Sequence, residues 1–254
     1  MLEKRSNARL REERRLDEIL SISEALIIEK GFSNFTLSEI IDRTTISRQT
    51  FYNLIPSKDM LLVHIAIKGL NKLICYAERA RFYEGYARGI LVAQYISYVI
   101  LKELHPVLHK CIFSINFHYL ESSENNLFVT TFNERIKSFV NFLEMVIVKA
   151  EQRDELKLPE ALPPRLLAQS IWNGLYGTAA MALHYNDDDY LQKSSHHYRE
   201  YTRLICDHLG WIPLSTEYDY DITTSKLIEL FFKEEFELIK KKSLSAQVKP
   251  QIAI

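Results

Sequence analysis

The chain has 254 residues, 47% of them apolar, which is enough for one large or two small domains around a hydrophobic core. Its seven glycines and seven prolines are few for this length, which favours helices over the turn-rich all-β folds. Three widely spaced cysteines imply no disulfide framework and suit a reducing, cytoplasmic setting. No stretch reaches about 18 uncharged apolar residues, so we expect an all-α protein that does not span a membrane.

Charge is distributed unevenly along the chain. Residues 1–15 carry six basic and three acidic side chains, a net charge of +3, which leaves −4 for the rest of a chain whose total is −1. This asymmetry is expected when only one end of a protein approaches phosphate groups, although a solvated helix start has the same composition. The basic residues include the adjacent pair Arg14 and Arg15.

The first predicted helix runs from about Arg9 to Lys30. Its apolar residues recur at helical spacing, and Gly31 follows where a left-handed residue ends many helices. The pattern therefore predicts one buried face and a defined C-terminal end.

The stretch 36–58 predicts two short helices joined by a turn. Thr36 and Glu39 form a capping box, in which hydroxyl and carboxylate each satisfy a backbone N–H at a helix start. Residues 44–46 are a turn of the length that joins two helices at a steep angle. Ser47 caps the second helix, and a proline ends it. These features together are typical of a helix-turn-helix.

The second short helix carries polar side chains suited to reading DNA. Phe51 can pack inward while its polar neighbours stay outside. Arginine pairs well with guanine, and glutamine or asparagine with adenine, so Arg48, Gln49 and Asn53 are candidates for base contacts. Phosphate contact alone is the alternative for Arg48 and Gln49. An ordinary helical hairpin with a solvated polar face would show the same caps and turn.

Apolar-rich runs predict further helices in the remainder of the chain. The first, from Lys58 to about Arg81, is the natural mechanical link between the N-terminal unit and the rest. The others are predicted at 86–104, 107–119, 127–153, 166–184, 194–209 and 223–242, with loops at 121–126, 153–165 and 211–221. The last helix lies in a C-terminal extension that would cover the body, join a dimer or dock another protein.

Four motifs, in this order, resemble the TetR family of transcriptional regulators. The family has a helix ending in Glu-Lys-Gly-aromatic, a second helix started by Thr, a Ser-capped recognition helix with Thr-x-Tyr, and a Phe-x-Ser-Lys junction. The resemblance covers residues 16 to about 62. The matching residues are Glu29-Lys30-Gly31-Phe32, Thr36, Ser47 with Thr50-Phe51-Tyr52, and Ile55-Pro56-Ser57-Lys58.

The chain departs from the family pattern in two places. Thr45 stands where the family usually has glycine, so this turn must either avoid positive φ or bear strain. Leu54 and Ile55 stand where the family favours His or Tyr and then Phe. Ile55 keeps a buried apolar group, whereas Leu54 removes a polar ring near the DNA backbone.

The resemblance implies a homodimer that places two recognition helices in successive major grooves of a near-palindromic operator. Thr50, Tyr52 and Lys58 match family positions that contact phosphates, and Lys58 also lies near a helix N-terminus, which favours an anion. Arg14 and Arg15 are candidates for contacts with the flanking backbone. The predicted DNA-binding residues are Arg14, Arg15, Thr36, Ser47, Arg48, Gln49, Thr50, Tyr52, Asn53 and Lys58.

The resemblance also implies that helix 166–184 and the next helix pair across a two-fold axis, as a four-helix bundle between subunits. Small residues on the first of these helices let another helix approach closely. Packing within one chain would use the same small residues. The predicted dimer-interface residues are Leu167, Ile171, Gly174, Leu175, Gly177, Ala180, Tyr201 and Leu204.

By the same resemblance, the helices after the linking helix enclose a pocket for a small molecule. Binding there would shift the linking helix and change the distance between the recognition helices. Aromatic residues in this part of the chain favour a lipophilic or aromatic effector, although each is equally suited to a plain core. The predicted lining residues are Phe113, Phe117, Tyr119, Phe128, Phe132, Phe139 and Trp172.

Motifs for catalysis and metal binding are absent from the sequence. It has no Gly-rich phosphate loop and no GxSxG motif. His105, His109, Cys111 and His118 lie close together, but without CxxC or HExxH spacing. We expect neither an enzyme nor a bound metal or cofactor.

We therefore expect a helix-turn-helix domain at 1–58, an effector-binding and dimerisation domain at 59–210, and an extra loop, helix and tail at 211–254. The expected function is that of a homodimeric repressor, released from a palindromic operator by a small-molecule effector. One alternative is a TetR-like coactivator or adaptor that acts through protein contacts, with weak or no operator binding. Another is a small-molecule-binding or transfer protein that kept the fold.

Overall fold

The computed structural model of the chain describes residues 2–114, 126–184 and 188–247, and these ranges contain helices and no strand. The predicted all-α class is confirmed. A 3-10 turn, Ala80–Phe82, follows α4, and a π-helical turn, Ile228–Phe232, joins α10 to α11. The helices are α1 Leu2–Lys30, α2 Leu37–Arg43, α3 Arg48–Leu54, α4 Lys58–Arg79, α5 Ala87–Leu104, α6 Pro106–Ser114, α7 Asn126–Gln152, α8 Pro164–His184, α9 Asp188–His208, α10 Tyr220–Leu227 and α11 Lys233–Gln247.

Helix ends differ from the prediction mainly where the sequence has no capping motif. α1 begins at Leu2 and α9 at Asp188, both earlier than predicted. α8 begins at Pro164, because a proline is tolerated in the first helical turn, where its missing N–H would have no partner. Gly31 (φ +83°) and Gly210 (φ +67°) follow α1 and α9 in the left-handed region, which suits glycine.

The chain divides into two compact units. The first comprises Met1–Gly69 and Val107–Phe132, and the second comprises Leu70–Pro106 and Asn133–Ile254. The helix α4 begins in the first unit and ends in the second, and the C-terminal extension belongs to the second. The domain boundaries expected after residues 58 and 210 remain a prediction.

The first unit is built on the apolar faces of α1, α2, α3 and the start of α4. Ile19, Ile40 and Phe51, one from each of the first three helices, are fully buried. The helix α6 packs on α4 in the same unit, so closely that a Cβ at Gly69 would lie 2.8 Å from Cδ1 of Ile112. The start of α4 therefore touches both the helix-turn-helix and α6.

The second unit is organised around α5. The helices α9, α10 and α11 pack against α5, and α8 pairs with α9. Tyr98 of α5 and Tyr198 of α9 are buried, with ring centroids 5.8 Å apart. In the α8–α9 pair, the ring of Tyr201 lies over Gly174, and its hydroxyl donates to the carbonyl oxygen of Ser170 at 3.1 Å.

The C-terminal extension folds back onto α5 and is held there by Arg88, whose side chain is nearly fully buried. The guanidinium donates to the carbonyl oxygens of Trp211 (2.9 Å) and Pro213 (3.0 Å) and to the hydroxyl of Ser215 (2.8 Å). It also pairs with Asp207 at 2.7 Å. Of the three positions considered for the extension, the structure shows that it covers the body.

One helical segment in the described part of the chain, Lys58–Phe82, is long and apolar enough to cross a membrane by those two criteria alone. Over half of its apolar portion, 56%, is buried inside the protein. A core helix of a soluble protein meets the same criteria, so the observation is weak evidence for a membrane. Leu61 and Leu70, one in each unit, are fully buried, which accounts for the apolar composition of the segment.

Candidate nucleic-acid interface

The helix α2 is fixed at both ends. The hydroxyl of Thr36 accepts from the N–H of Glu39 at 3.3 Å, and the Glu39 carboxylate accepts from the N–H of Thr36 at 2.9 Å, which confirms the predicted capping box. The same carboxylate pairs with Lys30, and hydrogen bonds from Lys30 and Thr36 lower the pKa of Glu39 to about 2. At the other end, Arg43 pairs with Glu29 of α1 at 2.8 Å. Both ends of α2 are therefore tied to neighbouring structure.

The turn between α2 and α3 is held by a residue that the sequence analysis missed. Glu18 of α1 accepts from the backbone N–H of Thr45 at 2.7 Å and from its hydroxyl at 2.9 Å. Among the described residues Asp154 is the one non-glycine with positive φ, so Thr45 avoids the left-handed conformation. The turn needs no glycine because side-chain hydrogen bonds, and not a special dihedral angle, define it. No local sequence pattern connects Glu18 to this turn.

The helix α3 presents a compact polar surface. Ser47 caps it by accepting from the N–H of Thr50 at 3.3 Å, and Phe51 is fully buried, as predicted. Burial of Phe51 fixes the rotation of α3 and leaves a set of polar and aromatic side chains at the surface. The exposed members of this set are Arg48, Gln49, Tyr52 and Asn53.

Besides Thr36, four predicted DNA-binding side chains are already engaged within the protein. The Thr50 and Ser47 hydroxyls are 2.9 Å apart and share a hydrogen bond. Arg48 donates weakly to the hydroxyl of Ser38 at 3.3 Å and remains exposed. The ammonium of Lys58 donates to the carbonyl oxygen of Phe35 at 3.1 Å and lies 4.0 Å from the centre of its ring. The Phe35 carbonyl takes one of the three N–H donors of the Lys58 ammonium, and the other two remain for a phosphate contact.

Arg14 and Arg15 are exposed on α1, one turn before Glu18. Helical residues three, four and seven positions apart lie on one face. Arg11, Arg14 and Arg15 therefore share the face of α1 that carries Glu18, and Glu18 contacts the turn. This places the basic part of α1 on the side of the helix-turn-helix turn.

Residues 19–65, which contain the C-terminal part of α1, α2, the turn, α3 and the start of α4, match the model of bacterial regulatory proteins of the tetR family. The helix-turn-helix segment belongs to the TetR family. The predicted family resemblance is confirmed for this segment, in which α3 is the Ser47-capped helix predicted as the recognition helix. The comparison with curated proteins gives no match.

Solved TetR-family structures share the fold over most of this chain. A regulator from Pectobacterium atrosepticum is similar with a TM-score of 0.57 and 14% identity, over 79% of this chain and 96% of its own. One from Agrobacterium tumefaciens has a TM-score of 0.56 and 16% identity, over 78% and 98%. FadR from Bacillus subtilis, solved in complex with stearoyl-CoA, has a TM-score of 0.54 and 19% identity, over 72% and 95%. At these identities the similarity shows the TetR fold.

The aromatic residues predicted to line an effector pocket do not line the cavity that the structure contains. Phe113 and Phe132 are buried in the first unit, and Phe139 and Trp172 are buried in the second, where their ring centroids lie 5.3 Å apart. Phe117, Tyr119 and the side chain of Phe128 lie outside the described residues. The four described aromatic residues pack in the cores of their units, and their place in an effector pocket stays a prediction.

A cleft of about 570 Å³ lies in the second unit between α5, α9 and residues 215–224. Three basic side chains, four acidic side chains and three tyrosines line it. Sequence analysis missed this cleft because its walls come from three distant segments, one of them in the extension. The residues that characterise it are Arg88, Tyr95, Arg199, Arg203, Tyr218 and Tyr220.

The predicted dimer-interface residues divide into buried and available groups. Leu167, Ile171 and Leu175 are buried inside the second unit, which leaves little of their side chains for a partner subunit, and their place in an interface stays a prediction. Gly174 and Tyr201 contact each other within the chain. Three residues remain accessible to a partner subunit. A Cβ at Gly177 would meet nothing within 4 Å, Ala180 is partly exposed, and Leu204 is 62% exposed.

In the part of the chain that the structure describes, no three His, Cys, Asp or Glu side chains come together to hold a metal ion. Cys111, one of the residues considered for a metal, is buried, and burial raises the pKa of its thiol. A raised pKa disfavours the thiolate that a metal would need. His118 lies outside the described residues.

Proposed function

We propose that the protein is a ligand-responsive transcriptional regulator, a homodimeric repressor that a small-molecule effector releases from a palindromic operator. The observation that carries this proposal is the recognition helix. Its inner residue, Phe51, is buried, and its base-reading candidates are exposed together on one short helix tied to α1. The protein acts without catalysis, in the cytoplasm where its DNA lies.

DNA reading would divide between two sets of side chains. Arg48, Gln49 and Asn53 would contact base edges in the major groove, because their donors and acceptors match guanine and adenine. Tyr52, together with Thr50, Lys58, Thr36 and Ser47, would position the helix through phosphates. Arg14 and Arg15 would contact the flanking backbone, so affinity should fall steeply with salt.

Dimerisation would use the outer faces of α8 and α9. Leu204 on α9 and Leu166 and Met181 on α8 are large apolar side chains exposed to solvent, at 62%, 45% and 41%. Gly177 and Ala180 lie on α8 with little or no side chain, so a partner helix can approach closely there. This surface resembles the centre of an interface more than a solvated helix face.

The effector would bind in the cleft of the second unit. Its tyrosines favour an aromatic molecule, whereas its seven charged side chains favour polar groups over the purely lipophilic ligand expected from the sequence. FadR, a protein of the same fold, was solved with stearoyl-CoA, so this fold can hold a ligand of that size.

The signal would reach DNA through α4. This helix starts four residues after the recognition helix ends and continues into the second unit. In the first unit it is touched by α6 at Gly69, where the two helices are in close contact. A displacement of either helix would change the position of the recognition helices and shift the dimer between binding and released states.

Fluorescence anisotropy tests this function directly. A labelled duplex from the DNA flanking the gene is titrated at two salt concentrations, beside a scrambled duplex of the same composition. Salt-sensitive binding with a preference for the flanking sequence is expected. No binding at low salt would contradict the proposal and favour the coactivator or adaptor, which would act through protein contacts.

A further inference from the structure

Glu18 of α1 binds one residue of the turn before the recognition helix through three contacts. Its Oε1 accepts from the Thr45 N–H at 2.7 Å and from the Thr45 hydroxyl at 2.9 Å, and its Oε2 lies 3.1 Å from the same hydroxyl. The two residues are 27 positions apart. Neither the family match nor the residues expected to touch DNA assign a role to this pair.

The contact lies in the turn that sets the direction of α3. Thr45 lies two residues before Ser47, the N-cap of α3, and a helix leaves a turn in the direction that these few residues set. A carboxylate that holds both the N–H and the hydroxyl of Thr45 restrains the turn relative to α1. The glycine that the family usually has at this position offers no hydroxyl for such a contact.

The electrostatics of DNA binding disfavour a carboxylate at this position. Glu18 shares a face of α1 with Arg11, Arg14 and Arg15, which is the face next to the turn. A negative charge among these arginines weakens their attraction for phosphate groups. We therefore expect Glu18 to favour DNA binding in another way that compensates for this repulsion. Its contact with Thr45 is the candidate for that contribution.

We propose that Glu18 is a positioning residue for DNA recognition, which orients the recognition helix through Thr45. This proposal rests on the DNA-binding function proposed above. Glu18 is not assigned a contact with DNA. Its effect should therefore appear in the discrimination between sequences more than in overall affinity.

Three variants separate positioning from charge. Glu18→Ala removes the charge and the hydrogen bonds, whereas Glu18→Gln removes the charge and keeps an amide oxygen that accepts both bonds. Asp17→Ala is the matched control, because Asp17 is an exposed neighbouring carboxylate for which the described structure shows no hydrogen bond or ion pair. Each variant is titrated by anisotropy with a duplex that the wild-type protein selects from a random pool, and with its scrambled counterpart. Melting temperatures are measured in parallel.

The affinity ratio between the two duplexes is the readout. Glu18→Ala is expected to lower it by about tenfold or more, since hydrogen bonds to a charged group are worth at least that factor. Glu18→Gln and Asp17→Ala should raise affinity for both duplexes and leave the ratio within about threefold of wild type. If Glu18→Ala and Asp17→Ala behave alike, or if Glu18→Ala only lowers the melting temperature, the proposal is wrong.

Thr45→Val keeps the test decisive should Glu18→Ala fold poorly. Valine preserves the branched shape and removes only the hydroxyl contacts. It should lower the ratio by itself, because the hydroxyl is one of the two groups of Thr45 that Glu18 holds. An unchanged ratio for Thr45→Val would overturn the proposal. If the wild-type protein selects no duplex, the DNA-binding function fails as well, whereas selection with equal ratios for all variants contradicts only this inference.

Discussion

At the scale of single residues, one buried side chain orients the predicted recognition helix. Phe51 is fully buried and thereby sets which side of α3 faces outward. Arg48 and Asn53 are exposed as a result, and the hydrogen bond from Arg48 to Ser38 is long enough, at 3.3 Å, to be replaced on binding. The residues proposed to read bases are therefore distinct from Phe51, which holds the helix in place.

Arg48→Ala tests the assignment of base reading. The variant should lose about 1–3 kcal/mol of binding free energy on the preferred duplex and little on a scrambled one, because only the preferred duplex offers the matching base. Anisotropy titrations of both duplexes measure the difference. Lys240→Ala, which removes the same charge from an exposed position on α11, is the control. An equal loss on both duplexes would mean that Arg48 contacts phosphate alone.

His64 makes the stability of the protein depend on pH. Burial lowers its pKa from 6.5 to about 4, so the unfolded chain binds this proton more readily than the folded one. The stabilising contribution is therefore complete above pH 6.5 and is lost as the pH falls from 6.5 towards 4, by roughly 2–3 kcal/mol.

Thermal melting at pH 7.5 and pH 4.5 measures this effect. The difference between the two melting temperatures should be smaller for His64→Gln than for wild type, because glutamine does not titrate. A difference of the same size in both proteins would show that other groups cause the acid sensitivity. His208→Gln, at an exposed position, is the control and should leave the wild-type difference unchanged.

At the scale of secondary-structure elements, two glycines three residues apart on α8 have different environments. A Cβ at Gly174 would lie 1.9 Å from Cε1 of Tyr201, whereas a Cβ at Gly177 would meet nothing within 4 Å. The first glycine permits α9 to pack against α8 in the same chain. The second lies on the face that we assign to the partner subunit.

Alanine substitutions should separate the two roles. Gly174→Ala should lower the free energy of unfolding by about 1–3 kcal/mol, because the Tyr201 ring has to move. Gly177→Ala should not destabilise the folded chain and should gain up to about 1 kcal/mol from helix propensity. Chemical denaturation at low protein concentration measures both. Equal effects of the two substitutions would show that Tyr201 does not depend on Gly174.

The sequence predicts a feature well when the residues that form it lie close together along the chain. The capping box of Thr36 and Glu39 and the cap at Ser47 depend on residues three positions apart, so the sequence shows them directly. The contact of Glu18 with Thr45 spans 27 residues and has no local pattern. Small residues on α8 look the same in sequence whether a helix of the same chain or of a partner lies against them. The sequence alone therefore does not separate a residue buried within the chain, such as Leu167, from a residue of an interface.

At the scale of the whole molecule, the proposed repressor needs two copies to read a palindrome. The surface of α8 and α9 that remains exposed in one chain is the surface that we propose for the contact between the two copies. Leu204 is its most exposed large apolar residue, at 62%, and a substitution there should not disturb the core of the chain.

Leu204→Glu should therefore dissociate the dimer without unfolding the subunit. Each interface would lose two buried leucines and gain two buried charges, which should weaken the dimer by at least about a hundredfold. Sedimentation velocity measures the mass, and circular dichroism checks the helix content. Leu238→Glu, on the exposed side of α11, is the control and should remain dimeric. A Leu204→Glu protein that stays dimeric would place the interface elsewhere.

Arg88 makes the C-terminal extension inseparable from the second unit. Three of the five acceptors of its guanidinium, on Trp211, Pro213 and Ser215, lie beyond residue 210. A chain that ended at residue 210 would lose these three acceptors and would expose to water both Arg88 and the face of α5 that the extension covers. The extension is therefore part of the folded second unit, and a truncation after residue 210 would leave apolar surface of α5 open to solvent.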